Sequence, residues 1–223
     1  MDPELSTDLT DYYARRAREY ERIYEKPERQ ADLAQLTTRL RAEFQRRDVL
    51  EIACGTGYWT RAIADTARSV TATDVNAEVL RLARTKDWSG ASVRFAVADA
   101  FDLHAVTGRF DAAFVGFLWS HLERPRLPAL LDQLNVRLAP GSPVIAVDNR
   151  YVPGSSTPIS RTDEHGDTFQ VRKLDDGSHH EIRKNFPDER ELRDTLAGLA
   201  RPVADVHVEL LDYFWLLKYQ TLA

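Results

Sequence analysis

The chain has 223 residues, enough for one domain with a full hydrophobic core and a small appendage. Its composition, 43% hydrophobic and 29% charged, excludes disordered and fibrous classes. The formal charge of −5, with Lys and Arg spread along the chain, argues against a nucleic-acid partner, which would require a basic face. No apolar run reaches transmembrane length and "MDPELSTDLT" is acidic and polar, so a cytoplasmic protein with no membrane partner is expected. The single cysteine, Cys54, excludes an internal disulfide and a Cys-rich metal site. None of the six histidines pairs with acids or Cys54 at ligand-like spacing, so no metal is expected.

In chain order, the first elements are helical. "DLTDYYARRAREYERIY" is followed by "PERQADLAQLTTRLRAEF", with Pro27 placed to open the second helix. Tyr13, Ala17, Tyr20 and Tyr24 fall on one face of the first, which reads either as an aromatic docking stripe or as a lid over a pocket. A strand at Val49–Ala53 then breaks into "CGTG". A helix from about Tyr58 to Thr66 follows, and then the strand "SVTATD". Asn76 is placed to cap the helix "AEVLRLARTK". "SVRFAVA" and "RFDAAFVGF" read as strands, "PRLPALLDQLNVRLA" as a helix and "SPVIAVD" as the next strand. Beyond Asp148 a Pro-, Gly- and Ser-rich loop leads to "TFQVRKLDDGSHHEIRK", which reads as a hairpin about Asp176–Gly177 with His179 and His180 exposed. A helix near Asp188–Ala197 and two strand-like runs, "VADVHVEL" and "YFWLLKYQT", complete the chain.

Strands alternating with helices imply an α/β, doubly wound, Rossmann-like sheet with ligands beyond the carboxyl ends of its strands. Gly55 and Gly57 resemble the first two glycines of a dinucleotide turn, but Thr60 stands where the third is needed, and no P-loop lysine follows. The turn therefore suits a smaller anion, such as a carboxylate, better than a pyrophosphate. Asp74 closes the second strand, where a carboxylate can accept both ribose hydroxyls. Asp99, in "VADAFDL", suits an adenine amine, the N–H groups of Ala100 or Phe101 suit a ring nitrogen, and the Phe101 ring can stack on the base.

These motifs together resemble the class I S-adenosylmethionine (SAM)-dependent methyltransferases. "VLEIACGTG" is similar to the family's first motif, "VTATD" to its ribose-binding strand end and "VADAFDL" to its adenine motif. "FDAAFVGFLWSHL" and "LLDQLNVRLAPGSPVIAVD" are similar to its fourth and fifth strands. The resemblance covers residues 47–150 and implies a seven-stranded sheet ordered 3-2-1-4-5-7-6, with the last strand antiparallel. It further implies Glu51, Ala53, Gly55 and Gly57 around the methionine moiety, Asp74 with Val75 at the ribose, Asp99 and Ala100 at the adenine, and Phe117 with Leu118 beside the sulfonium. Residues 1–46 are then a helical cap, and residues 47–223 are the methyltransferase domain with an insertion at about 150–186.

Donor contacts are also expected from Tyr13, since small-molecule members place an N-terminal Tyr near the sulfonium, and from Arg29, which can reach the donor carboxylate. Tyr20, Tyr24, Trp119, His121 and His165 are expected around the acceptor, and His121 is the candidate general base. The aromatic residues allow an apolar or cationic acceptor. The expected activity is transfer of a methyl group from SAM to a nitrogen or oxygen of a small molecule, by a monomer or homodimer. A dinucleotide-dependent oxidoreductase and a non-catalytic SAM-binding protein are the alternatives.

Overall fold

A computed structural model describes Tyr12 and residues 20–88 and 90–222, Tyr20 by its backbone alone. In chain order the strands are β1 (Asp48–Ile52), β2 (Ser69–Asp74), β3 (Val93–Val97), β4 (Ala112–Gly116), β5 (Pro143–Asn149), β6 (Arg161–Thr162), β7 (Thr168–Lys173), β8 (His179–Arg183), β9 (Val203–Leu210) and β10 (Phe214–Thr221). The helices are α1 (Gln30–Glu43), α2 (Tyr58–Ala64), α3 (Ala77–Arg84), α4 (Leu127–Asn135) and α5 (Glu189–Ala197).

A seven-stranded sheet is ordered β3-β2-β1-β4-β5-β10-β9. With the insertion strands left out of the count this is the expected 3-2-1-4-5-7-6. β10 runs antiparallel to both of its neighbours, whereas β1 to β5 pair in parallel. Successive strand residues point to opposite faces, and helices cover both faces, so both residue sets are apolar. Val49, Phe114 and Ile145 pack with Leu36, Leu40, Phe44 and Ile63 on one face. Leu50, Val115 and Ala146 pack with Leu130, Leu131, Leu134 and Trp215 on the other. Burial of each such leucine contributes about 2 kcal/mol, which is why the strands read as unbroken apolar runs.

Local chemistry sets the helix starts. Pro27 opens a 3-10 turn, Pro27–Arg29, and α1 begins at Gln30, three residues later than the sequence reading. Tyr20–Tyr24 is also a 3-10 turn, and the rest of the first expected helix lies outside the described residues apart from Tyr12. The Asn76 side chain accepts from Glu78 N–H to cap α3, as expected. Asp188 and Glu191 form a reciprocal capping box on α5.

Between β5 and α5 the chain builds a separate three-stranded antiparallel sheet, β6-β7-β8. The hairpin turns at Asp176–Gly177, with Gly177 at φ 86° and the Asp176 carboxylate accepting from Ser178 N–H. His180 is not exposed as expected: it is 3% accessible. The cause is strand alternation. Gln170 pairs with Ile182 and Arg172 with His180, and this face of the hairpin turns toward the main body. His180 shares a hydrogen bond with Ser178 Oγ at 2.8 Å, and its ring lies 5.4 Å from that of Tyr12.

Candidate active site

The carboxyl ends of β1, β2, β4 and β5 converge on one rim of the sheet. Beyond β1 the backbone passes through three left-handed residues, Ala53 (φ 54°), Gly55 (φ 57°) and Gly57 (φ 84°), before α2 begins. Phe117, just past the neighbouring β4, is also left-handed at φ 59°. Ala53 and Phe117 pay a steric penalty there of about 1–2 kcal/mol each, and such strain concentrates at functional sites.

Asp74 organises the glycine turn. Its two oxygens accept from Gly55 N–H at 2.9 Å and Asn76 N–H at 2.8 Å, locking the end of β2 to the turn after β1. Burial raises the Asp74 carboxyl pKa even against these donors. Glu51, at 1% accessibility, is more strongly perturbed: burial pushes its pKa up to about 8, Thr60 opposing and Asp74 adding. Glu51 Oε2 is buried without a hydrogen-bond partner among the described residues. An orphaned carboxylate oxygen beneath a glycine turn fits a ligand that brings a cation or N–H donor. Thr60, at the third position of the turn, is completely buried, so the space a dinucleotide turn would clear is filled.

Gly57 serves a packing purpose that its spacing did not reveal. A Cβ there would stand 3.2 Å from the Trp88 ring, and the backbone is left-handed. Gly57→Ala is therefore expected to cost about 2 kcal/mol from strain plus crowding, read as a lowered urea midpoint. Adding Trp88→Ala should restore the crowding part alone.

At β3, Asp99 is exposed, and its carboxylate accepts from Phe101 N–H at 2.9 Å. This engages the Phe101 donor that the sequence reading offered to an adenine nitrogen. The guanidinium of Arg126 covers one face of the Phe101 ring at 4.0 Å. Ala100 is half-buried beside them, and Val75, next to Asp74, is 56% exposed on the rim.

The N-terminal turn latches over this region. Glu21 accepts from Thr56 Oγ1 at 2.6 Å and pairs with Lys86. Tyr24 stacks on Tyr58 at 3.8 Å, accepts from Trp59 Nε1 at 3.2 Å and meets Phe117 edge-on. Tyr24 is thereby buried in the core beside Phe117. Tyr13 and the Tyr20 side chain lie outside the described residues.

Phe117 also lines a second pocket, of about 90 Å³, between β5, the N-terminal turn and the inner face of the small sheet. Lys26, Arg29, His121, Arg172 and Lys184 line it as well. His121 Nδ1 bonds the Arg183 carbonyl at 2.8 Å, so this nitrogen carries the proton and Nε2 is the ring's acceptor. Burial, with Lys184 and then Arg172 acting in the same direction, lowers the His121 pKa to about 3. The imidazole is therefore neutral and a weak base. Lys184 is buried on Asp148 (3.1 Å) and Ser120 Oγ (2.6 Å), while Asp148 accepts from Ser120 N–H at 2.9 Å. This network fixes the turn bearing His121 between β5 and the insertion.

Trp119 and His165, also expected at the acceptor, lie away from this pocket, as Tyr24 does. Trp119 is 1% accessible and packs at 5.5 Å against Trp215 in the core on the opposite face, because the turn after Phe117 rotates it inward. His165 projects into solvent from a loop in which Asp163 holds its N–H. Arg29, expected at the donor carboxylate, lines the second pocket, with Nη1 3.5 Å from Asn149 Oδ1 and Nη2 3.3 Å from Ser155 Oγ. Sequence reasoning missed Lys26, Arg172 and Lys184. The signal was available for the last two, because alternation through "TFQVRK" and "HHEIRK" sets Gln170 and Arg172 with Ile182 and Lys184 on one face. Among the described residues no three His, Cys, Asp or Glu side chains gather to hold a metal, and no helix is long and apolar enough to cross a membrane.

Comparison with known proteins agrees with this geometry. The methyltransferase-domain family matches residues 49–141. The demethylmenaquinone methyltransferases of Staphylococcus aureus and Clavibacter sepedonicus are 29% and 32% identical over 102 and 109 residues, or 44% and 49% of this chain. Those alignments span 42% and 44% of the relatives, so the chain spans less than half the length of these curated proteins. Among solved structures, DhpI in complex with SAH is 30% identical, with a TM-score of 0.74 over 96% of this chain and 95% of that one. DhpI with SAM and HEP matches at 30% identity and TM-score 0.73, over 94% of each chain. The PH0226 protein of Pyrococcus horikoshii, 20% identical with a TM-score of 0.70 over 91% of this chain and 98% of that one, shares the fold. On its sheet order, its glycine turn and these relatives, the chain belongs to the class I SAM-dependent methyltransferases.

Proposed function

We propose that the chain transfers a methyl group from SAM to a nitrogen or oxygen of a small-molecule acceptor by in-line displacement. The observation that carries this reading is the place of Phe117, which stacks at 5.8 Å on Trp59 of the helix that follows the glycine turn and also lines the second pocket. On one side lie the glycine turn and the orphaned oxygen of Glu51. On the other is a pocket of about 90 Å³, the size of a small acceptor group. SAM supplies a methyl already activated on a sulfonium. The chain's contribution is then to align the partners and keep water out.

In this reading Glu51 and the turn Ala53–Gly57 hold the methionine end, Asp74 and Val75 the ribose, and Asp99 with Ala100 and Phe101 the adenine. Asp74 can serve a ribose only while it keeps the turn in place, because both its oxygens already accept backbone N–H groups. The latch of Glu21 and Tyr24 over Thr56 and Trp59 supports a cap role for residues 1–46, and the small sheet supports an acceptor wall within residues 150–186. The low basicity of His121 favours catalysis by positioning over proton removal. DhpI, which has been solved with SAM and HEP together, supports a small acceptor.

The test is ligand binding followed by turnover. SAH at one hundred times its Kd should stabilise the fold by about 2.7 kcal/mol, a rise in Tm of roughly 5–10 °C for a chain of this size. NAD should produce none. A folded protein that SAH does not shift would overturn the reading, and an NAD-dependent shift would favour the oxidoreductase.

A further inference from the structure

We infer that the pocket beyond Phe117 is built for the oxyanion head of the acceptor, a carboxylate or a phosphate-like group, gripped by Lys26, Arg29 and Arg172. This rests on the proposed methyl transfer and specifies its acceptor.

Four cationic side chains, Lys26, Arg29, Arg172 and Lys184, line a space of about 90 Å³, and among the described residues no carboxylate lines it. Asp148 answers Lys184 from beneath, so that pair contributes little net charge at the surface of the pocket. Glu28 approaches Lys26 only to 4.0 Å, at the exposed side. Arg29 is the informative residue. Its hydrogen bonds, 3.5 Å to Asn149 and 3.3 Å to Ser155, are long contacts to neutral oxygens, and its Nε is buried without a partner among the described residues. Desolvation lowers its pKa, Glu28 and then Tyr213 oppose this from a distance, and no carboxylate among the described residues stands within ion-pairing distance of it. A guanidinium left in this condition gains strongly from a bidentate oxyanion.

Arg172 faces the same space from β7, held by Thr157 Oγ1 at 2.6 Å and Gln170 Oε1 at 2.7 Å, which fixes its direction. Burial and then Arg29 lower the Lys26 pKa, Glu28 opposes them and Arg172 adds to them, so the three cations feel one another across the pocket. The volume suits a compact head of a few heavy atoms. The same charges repel the ammonium acceptor that the aromatic residues of the sequence would allow.

The experiment is calorimetric titration of the SAH-saturated protein with methylphosphonate, inorganic phosphate and acetate at fixed ionic strength in chloride, with tetramethylammonium as the opposite charge. At least one oxyanion should bind with a Kd in the low millimolar range or tighter, and tetramethylammonium should not. Preference for acetate identifies a carboxylate head, and preference for methylphosphonate or phosphate a tetrahedral one. Arg29→Met and Arg172→Met should each weaken the preferred anion at least tenfold while SAH affinity changes less than threefold. Arg29→Lys, which keeps the charge, should recover part of the loss, and circular dichroism and Tm confirm that each variant is folded. If SAH binds and none of the three oxyanions does, the inference fails and the methyltransferase reading stands. If SAH itself fails to bind, the donor site is misassigned. If Arg29→Met abolishes SAH binding yet leaves the anion bound, Arg29 belongs to the donor and the assignment made here is overturned.

Discussion

Asp74→Ala is expected to abolish measurable SAH binding and to lower stability by about 2–4 kcal/mol, from two lost hydrogen bonds to a carboxylate. The carboxylate accepts Gly55 N–H and Asn76 N–H at once, so it holds the glycine turn against the strand end that precedes α3. Without it, two backbone donors face a partly buried gap, and the left-handed path through Ala53, Gly55 and Gly57 loses its anchor. Asp74→Asn keeps the shape but presents one N–H₂ group where an acceptor is needed. It should therefore fall between the two, with weakened SAH binding and roughly half the stability loss. Calorimetry with SAH and urea unfolding separate the effects. An Asp74→Ala protein that binds SAH with wild-type affinity would remove Asp74 from the site.

The sheet was legible in the sequence because each strand carries its own boundary signal. Asn76, Asp188 and Asp176–Gly177 sit where capping and turn chemistry demand them. The order of the strands came from the family resemblance, and the structure has the same order. Long-range packing was not legible. Nothing in "CGTG" announces that Trp88 lies against Gly57, because the indole arrives from beyond α3. The left-handed turns at Ala53 and Phe117 are invisible for a related reason: neither residue type favours that conformation, and only the surrounding fold imposes it.

The acceptor side shows the limit most clearly. Trp119 and His121 are two residues apart, yet one enters the core against Trp215 and the other faces the pocket. A 3-10 turn of three residues, Trp119–His121, separates them by direction, and its register has no periodic signature in sequence. The pocket's cations come from the N-terminal turn (Lys26, Arg29) and from β7 and the end of β8 (Arg172, Lys184), segments brought together only by the insertion folding back. The Lys184–Asp148–Ser120 network that secures this arrangement joins three segments far apart in the chain.

Glu51 carries a strong expected dependence on pH. Its folded pKa of about 8 lies above its ordinary 4.5, so the native state keeps a proton that the unfolded chain releases. A raised pKa of this kind contributes stability that is fully present below pH 4.5 and is lost as pH rises toward 8. The ligand-free protein should thus lose up to about 1.4 kcal/mol per pH unit across that window from this group. Glu51→Gln should flatten the slope and be the more stable protein at pH 8, as urea midpoints at successive pH values would show. Donor binding should run the other way. A methionine ammonium placed against Glu51 Oε2 favours the ionised carboxylate, so SAH binding at pH 7 should release a proton. Affinity should then rise by up to about tenfold per pH unit from pH 5 and level off above 8. Calorimetry in buffers of different ionisation enthalpy measures that proton directly. In Glu51→Gln the release should vanish and the affinity become weak and nearly independent of pH. Proton release that persists in the variant would assign the titration to another group and detach Glu51 from the donor.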